Sequence, residues 1–284
     1  MIMDKLCKRA REISPVCVGL DTKIEYLPEF ILEKPKSDAE KILEFNKRVI
    51  DALRDVCACF KVQIAYYEAL GIEGMIAYSM TLKYIRQVGS IAIADIKRGD
   101  IAATGKMYAK GHFEGDFEAD FVTVNGYMGI DSISPYFDYL KTGNKGIFIL
   151  LKTSNKSSSD FQDIPIGKRP LYYHVAGKID AWGKEYIQPC GYSSIGAVVG
   201  LTYPEEIACI SEWMPNTFYL IPGYGAQGGT GEDLAQLFKD GICGVVNSSR
   251  AILTAHQKIS EDETFVKHIR QAAIEMKEDI CKWL

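Results

Sequence analysis

The chain has 284 residues and a mass of 31.7 kDa, enough for one large α/β domain or two smaller ones. A formal net charge of -4 and an isoelectric point near 5.7 exclude a field that would attract nucleic acid or an anionic membrane. The sequence has no apolar run of about 18 residues, and its first residues lack the apolar core and cleavage site of a secretion signal. We therefore expect a cytoplasmic protein whose partner is a small molecule.

Neither the cysteines nor the histidines are spaced like the ligands of a metal ion. The eight cysteines include no C-x-x-C pair, and most lie in apolar segments, which predicts buried, reduced thiols. The four histidines show no ligand spacing either. The sequence thus predicts no metal site.

Short apolar runs and helical segments alternate along the chain. The runs lie at residues 16–20, 58–64, 91–94, 121–124, 146–151, 194–199, 217–221 and 242–246. Helical patterns lie at 38–56, 72–88, 130–141, 170–187, 204–213, 233–239 and 263–282. This order predicts a parallel sheet. A single-domain (β/α)8 TIM barrel over residues 1–284 fits the eight units better than an open doubly wound sheet, although an open sheet would produce a similar pattern.

Polar residues occur where the first two predicted strands end, which is where such barrels carry catalytic groups. The first strand runs into Asp21. In the second, Lys61 and Gln63 share one face of an otherwise apolar run. Because a buried lysine is rare unless it is paired, Lys61 is a candidate functional residue.

The third predicted strand runs into residues 95–104, which read DIKRGDIAAT. Ile91, Ile93, Asp95 and Lys97 lie on one face, because the side chains of a strand alternate. That face begins apolar and ends charged. Nearby carboxylates keep a lysine protonated, so the cluster is expected to hold a proton donor. A solvated ion-pair cluster would contain the same residues, but their inward-facing phase favours a functional site.

The loops after the fifth, seventh and eighth strands carry further candidates. The serine-rich segment 152–163 is either an active-site lid or an ordinary surface loop. A glycine-rich segment at 223–229 and Ser249-Arg250 form the pattern of a phosphate pocket, because glycine backbone N–H groups approach an anion closely and arginine clamps its oxygens. The glycine spacing also matches a dinucleotide-binding fingerprint, but no acidic residue follows the next strand to hold a ribose.

Together these residues resemble the orotidine 5'-phosphate decarboxylases, and the Lys-Arg-Gly-Asp core and the length resemble the longer bacterial subgroup (type 2). The matching features, in the expected order, are Asp21, Lys61, Asp95-x-Lys97-x-x-Asp100-Ile-x-x-Thr104 and the segment Pro-Gly-x-Gly-Ala-Gln-Gly-Gly. The resemblance implies a homodimer of barrels that converts orotidine 5'-phosphate to uridine 5'-phosphate and carbon dioxide, the last step of de novo UMP synthesis. It implies no metal and no organic cofactor.

The resemblance also implies roles for the matching residues. Lys97 would protonate C6 of the pyrimidine, and Asp95 would lie against the departing carboxylate. Lys61 would hold Asp95 and the ribose, and Asp21 a ribose hydroxyl. Asp100 would reach into the site of the neighbouring subunit. The other implied substrate-binding residues are Thr104, also from the neighbouring subunit, Thr153 and Ser154 at the base, and Gln227, Ser249 and Arg250 around the phosphate. The chain departs from the family after Asn155, where Lys-Ser replaces the expected Pro-Gly.

Two other functions share parts of this pattern. A Mg²⁺-dependent sugar-phosphate decarboxylase or hexulose-phosphate synthase would carry a carboxylate ligand in the second strand. This chain has Lys61 there, and its charge disfavours a divalent cation. A non-catalytic nucleotide binder would keep the pocket, bind uridine 5'-phosphate tightly and release no carbon dioxide.

Overall fold

Eight parallel strands close into a barrel, with helices outside it, which confirms the predicted (β/α)8 fold. The computed structural model describes residues 1–202, 204–225 and 228–284. The barrel strands are β1 (Val16–Gly19), β2 (Cys59–Gln63), β3 (Ala92–Arg98), β4 (Phe121–Val124), β5 (Gly146–Lys152), β8 (Ile195–Val199), β9 (Tyr219–Pro222) and β10 (Gly244–Ser248). Two short strands, β6 (Pro165–Ile166) and β7 (Arg169–Pro170), form a hairpin in the loop after β5. The barrel closes where β1 pairs with β10.

The helices fill the connections between strands. They are α1 (Ile2–Glu12), α2 (Glu29–Leu32), α3 (Asp38–Leu53), α4 (Ala65–Glu68), α5 (Gly71–Gln87), α6 (Ala102–Phe113), α7 (Phe137–Leu140), α8 (Leu171–Gly183), α9 (Pro204–Trp213), α10 (Arg250–Leu253) and α11 (Phe265–Cys281). Short 3-10 turns accompany them at Ile24–Tyr26, Gly115–Phe117, Gly129–Ser132, Ser134–Tyr136, Lys156–Asp160, Lys184–Tyr186 and Glu232–Leu234. Among the described residues, no helix is both long and apolar enough to cross a membrane.

The barrel strands are buried on both faces, which explains their continuous apolar runs. Alternate side chains such as Ile93, Phe121 and Phe148 fill the interior of the barrel, while Val62 and Ala94 pack outward against helices. Helix α1 covers the amino end of the barrel, and its apolar residues join the interior cluster. The carboxyl end is left open for a site.

The inward-facing positions turn polar towards that open end. Along β2, Cys59 is followed two residues later by Lys61, and along β4 Phe121 is followed by Thr123. Along β3, Ile93 is followed by Asp95. Ile91, Ile93 and Asp95 therefore share the predicted inward face, whereas the φ of +47° at Lys97 interrupts the regular alternation at the end of the strand.

Several predicted elements differ from the structure. The predicted helix 233–239 is wrong, since only the 3-10 turn Glu232–Leu234 forms there. The predicted helix 130–141 is divided into two 3-10 turns and α7, because Pro135 has no N–H to donate and disfavours a helical residue before it. Helices α1 and α6 lie outside the predicted helices. Gly105 and Gly111 weaken the helical pattern of α6.

The cysteine prediction is confirmed in part. All eight cysteines are free thiols, and Cys7, Cys17, Cys57 and Cys59 are buried. Cys209 and Cys281 are exposed, so the prediction of burial is wrong for those two.

Candidate active site

Two lysines enclose one aspartate at the carboxyl ends of β2 and β3. Lys97 Nζ lies 2.6 Å from Asp95 Oδ1, and Lys61 Nζ lies 3.1 Å from Asp95 Oδ2. The side chains of Lys61 and Asp95 are buried, whereas the Lys97 side chain is 46% exposed. Lys97 is therefore the cation of this centre that a bound molecule can reach most readily.

Two further donors complete the environment of Asp95. Gln63 Nε2 donates to Oδ2 at 2.9 Å, and Thr123 Oγ1 donates to Oδ1 at 2.9 Å. Burial raises the pKa of Asp95, but the ammonium groups of Lys61 and Lys97 outweigh that effect and lower the pKa to about 2. The aspartate is thus a fixed negative charge at neutral pH.

Thr123 also shapes the backbone that carries Lys97. Its Oγ1 accepts the backbone N–H groups of Ile96 and Lys97, each at 3.0 Å. Lys97 has a φ of +47°, in the left-handed region that a non-glycine residue adopts only when its surroundings hold it there. The β3–β4 register shifts between Ala94 and Arg98, next to this residue. Local backbone strain therefore aims Lys97 into the open end of the barrel.

Sequence reasoning did not assign a role to Thr123 or to Gln63. Thr123 lies two residues after Phe121 on the same strand, so alternation along β4 could have predicted that its side chain faces the interior of the barrel. Gln63 shares a face with Lys61, but a lone amide does not indicate which carboxylate it meets.

Lys61 connects the centre to a second carboxylate on the loop after β1. Its Nζ lies 3.2 Å from Asp21 Oδ1, and Asp21 Oδ2 accepts a hydrogen bond of 2.8 Å from Ser249 Oγ. Burial lowers the pKa of Lys61, but Asp21 and Asp95 outweigh it and raise the pKa above its usual value. The structure thus brings the candidate residues Asp21, Lys61, Asp95, Lys97 and Ser249 into one hydrogen-bonded array.

An open cavity of about 700 Å³ lies over this array. Its walls include the predicted residues Thr153, Ser154 and Arg250. It is also lined by polar and aromatic residues that the sequence analysis did not single out, among them Lys23, Tyr26, Tyr66 and Asn247. The volume suits a ligand the size of a nucleotide.

The segment after β5 forms one wall of the cavity and is anchored at its base. Gln162 accepts the backbone N–H of Thr153 at 2.9 Å and donates to its Oγ1 at 2.8 Å. The buried Lys152 pairs with Asp163 and lies 3.9 Å from Glu206 of α9. These contacts bring residues 162–163 back to the end of β5, while Thr153, Ser154 and Asn155 line the cavity.

The glycine-rich segment after β9 forms the opposite wall. Gly225 and Gly228 have φ values of +70° and +91°, which only glycine adopts without strain. Gly225 N donates to Gly229 O at 2.9 Å, which closes a tight turn. The predicted residue Gln227 lies outside the described residues.

Asp100 and Thr104 are separated from the array. Neither residue lines the cavity of its own chain. Asp100 Oδ1 accepts the N–H of Ile101 at 2.8 Å at the start of α6, and Thr104 is exposed on that helix. Within one subunit, the structure does not bring these two predicted residues to Lys97.

The carboxylates of the site are bound to lysines. Within residues 1–202, 204–225 and 228–284, no group of three or more His, Cys, Asp and Glu side chains is arranged to hold a metal ion. The Lys61 ammonium lies between Asp21 and Asp95 instead. This arrangement can bind an anionic ligand and deliver a proton to it through Lys97.

A (β/α)8 barrel with a charged centre at the carboxyl ends of its strands has the arrangement of the barrel enzymes, which often bind phosphate in the loops after the seventh and eighth strands. The family model described as orotidine 5'-phosphate decarboxylase / HUMPS family matches residues 14–264. The chain belongs to this family.

Relatives and a solved structure match this chain over nearly its whole length. Orotidine 5'-phosphate decarboxylase of Clostridium kluyveri is 51% identical, over 99% of this chain and 98% of that protein. The protein of the same name from Clostridium botulinum strain Langeland is 52% identical, over 99% of each. The structure of Leishmania donovani OMP decarboxylase superposes with a TM-score of 0.78 at 31% identity, covering 99% of this chain and 97% of that one.

Proposed function

We propose that this chain decarboxylates orotidine 5'-phosphate to uridine 5'-phosphate in pyrimidine biosynthesis, as a cytoplasmic enzyme. The observation that carries the proposal is the Lys97 ammonium, held 2.6 Å from a buried, ionised Asp95 at the open end of the barrel. The names of relatives that are about half identical over the full chain support the same activity.

In the proposed reaction, the bond between C6 of the pyrimidine and its carboxylate carbon breaks, and its electron pair remains on C6. Carbon dioxide leaves, and a proton moves from Lys97 Nζ to C6. The ring cannot delocalise this carbanion well, so a cation fixed where the charge develops stabilises the transition state more than the ground state. Lys97 supplies both the charge and the proton, and it recovers a proton from water after product release.

The other charges orient Lys97 and the substrate. Asp95 lies against the substrate carboxylate, and the repulsion between the two negative charges disfavours the bound substrate relative to the transition state. Lys61 keeps Asp95 ionised and, with Asp21, binds the ribose hydroxyls. Because Lys61 Nζ lies within 3.2 Å of both aspartates, a divalent cation at that place would meet a like charge.

The two walls of the cavity bind the ends of the substrate. Thr153 and Ser154 contact the base, while Gln227, Ser249 and Arg250 surround the phosphate. Binding energy from the phosphate then orders residues 153–163 over the ring, so that part of a remote interaction contributes to the chemical step.

We also propose a homodimer in which Asp100 and Thr104 complete the site of the neighbouring subunit. Exposed apolar side chains surround these residues on α6 and on the adjoining segment 127–130: Ile101, Met107, Tyr108, Tyr127, Met128 and Ile130. The turn Gly129–Ser132 contacts α6, so these exposed apolar side chains lie on neighbouring elements, and clustered exposed apolar residues mark protein interfaces. A symmetric dimer would cover the patch and supply Asp100 to the partner.

The proposed activity is tested by following the loss of orotidine 5'-phosphate absorbance with and without EDTA. Lys97→Ala is expected to lower kcat/KM by about 10³-fold or more, because it removes both the general acid and the fixed charge. Lys141→Ala is the matched control, since its side chain is 65% exposed and pairs only with Asp138 among the described residues.

Three outcomes would contradict the proposal. Near-normal turnover by Lys97→Ala would exclude this lysine as the donor. Activity lost in EDTA and restored by Mg²⁺ would favour a metal-dependent reaction. Tight binding of uridine 5'-phosphate without release of carbon dioxide would indicate a binding protein.

A further inference from the structure

The glycine-rich wall of the cavity is held from behind by a residue of the last helix. Tyr224 Oη donates to Asp279 Oδ2 at 2.8 Å, and the backbone N–H of Gly231 donates to the same oxygen at 2.7 Å. Tyr224 and Gly231 lie on either side of the segment that contains Gln227. One carboxylate oxygen of α11 therefore joins the two ends of this loop.

The backbones of the loop and the helix approach so closely that only glycine fits. A Cβ atom on Gly231 would lie 2.4 Å from the carbonyl oxygen of Asp279, far inside van der Waals contact. Gly231 is buried, and Asp279 is half-buried on the side of α11 that faces the loop. The loop and α11 are thus closely packed at this contact, which forms a packed junction.

Among its described residues, the loop also has local contacts: Thr230 N and Thr230 Oγ1 donate to Asp233 Oδ2 at 2.7 and 2.9 Å, in the turn that follows. Its internal bonds, such as Gly225 N to Gly229 O at 2.9 Å and Gly229 N to Gly223 O at 3.2 Å, shape the turn without tying it to the barrel. On the inner side, Ser248 Oγ donates to Tyr224 O at 3.5 Å. Hydrogen bonds to a charged acceptor are stronger than neutral ones, so the two bonds to Asp279 are a major restraint on the loop.

We propose that Asp279 is a positioning residue for phosphate binding, which acts by fixing both ends of the loop at 223–231. The inference rests on the proposed function, in which this loop surrounds the substrate phosphate. Asp279 does not line the cavity, whereas Tyr224 does. Its effect therefore reaches the substrate only through the loop.

The decisive test compares two substrates, orotidine 5'-phosphate and orotidine, which lacks the phosphate. Asp279→Ala is expected to lower kcat/KM for orotidine 5'-phosphate by about 10- to 100-fold, mainly through KM, because small displacements of a binding group are costly. For orotidine, kcat/KM should stay within about twofold of the unaltered enzyme. A residue that merely stabilises the fold would affect both substrates alike.

Two other variants keep the test interpretable. Glu278→Ala removes a neighbouring exposed carboxylate from the same helix and should alter neither substrate's kinetics. Tyr224→Phe removes one of the two bonds while keeping the ring, so it should produce a smaller loss restricted to the phosphorylated substrate. If Asp279→Ala fails to fold, Tyr224→Phe alone decides the question.

The proposal is overturned if kcat/KM falls by the same factor for orotidine 5'-phosphate and for orotidine. It is also overturned if neither variant changes KM for the phosphorylated substrate. Absence of orotidine 5'-phosphate turnover in the unaltered enzyme would instead refute the proposed function. The two failures are therefore distinguishable.

Discussion

Asp95 accepts hydrogen bonds from four side chains, which makes it the residue that holds the charged centre together. Lys61 and Gln63 donate to one oxygen, and Lys97 and Thr123 donate to the other. Its pKa of about 2 lies below the unfolded value of 3.8. The stability that comes from this shift is therefore present above pH 3.8 and is lost as the pH falls towards 2.

His112 is a second buried titratable residue, and it predicts acid sensitivity in a milder range. Burial, with the nearby Arg98 charge, lowers the pKa of His112 from 6.5 to about 4. The unfolded chain binds a proton near pH 6.5 and the folded chain only near pH 4. Stability is therefore complete above pH 6.5 and falls through this window, by about 2 kcal/mol at pH 5.

The histidine contribution is measured by urea unfolding of the unaltered protein and of His112→Gln at pH 7.5 and pH 5. The variant should lose less stability between the two values, since it lacks the group that the unfolded state protonates. His268→Gln, at a half-buried position of α11, is the matched control. An identical pH dependence for the unaltered protein and His112→Gln would contradict the assignment.

At the scale of elements, the segment after β5 is held by side-chain contacts more than by regular structure. The hairpin β6–β7 rests on α8 and α9, where the Arg169 guanidinium lies 3.6 Å from the centre of the Trp213 ring. At the other end, Gln162 holds Thr153 through two hydrogen bonds. Between Thr153 and Gln162 the only regular element among the described residues is a short 3-10 turn, Lys156–Asp160.

Gln162→Ala is expected to raise KM for orotidine 5'-phosphate by about tenfold, because it frees Thr153 at the base of the segment. Steady-state kinetics measure the effect. Ser159→Ala is the control, as its exposed hydroxyl contacts only the carbonyl of Lys156 within the described residues. An unchanged KM in Gln162→Ala would show that these two bonds do not position the base-binding wall.

At the scale of the whole molecule, the proposed dimer predicts that an active site needs residues from two subunits. Lys97→Ala and Asp100→Ala subunits should each be inactive alone. In a mixed dimer, one site receives Lys97 from one subunit and Asp100 from the other. Random assortment of equal amounts therefore restores about a quarter of the unaltered activity.

Mixing Lys97→Ala with Asp95→Ala subunits provides the control, because Lys97 and Asp95 belong to the same chain's centre and no mixed site contains both. This pair should stay inactive. Lack of recovery in the first mixture, despite demonstrated subunit exchange, would refute the shared site.

Much of the barrel and part of its centre were predictable from local sequence. Strand β4 and helix α9 match their predicted bounds, because apolar runs and helical periodicity are properties of neighbouring residues. The 233–239 segment was not predictable in the same way. Its helical pattern is real, but the packed junction of Gly231 with Asp279 lies directly before it, and only a short turn forms.

The sequence by itself determined that Ile91, Ile93 and Asp95 face inward and that the strand ends in charged residues, because alternation along a strand needs no knowledge of the rest of the chain. Only the tertiary structure decided which residues meet there. Lys61 reaches Asp21 across 40 positions, and Tyr224 reaches Asp279 across 55. Such pairs depend on how the barrel closes, and closure arises from the packing of all eight strands together.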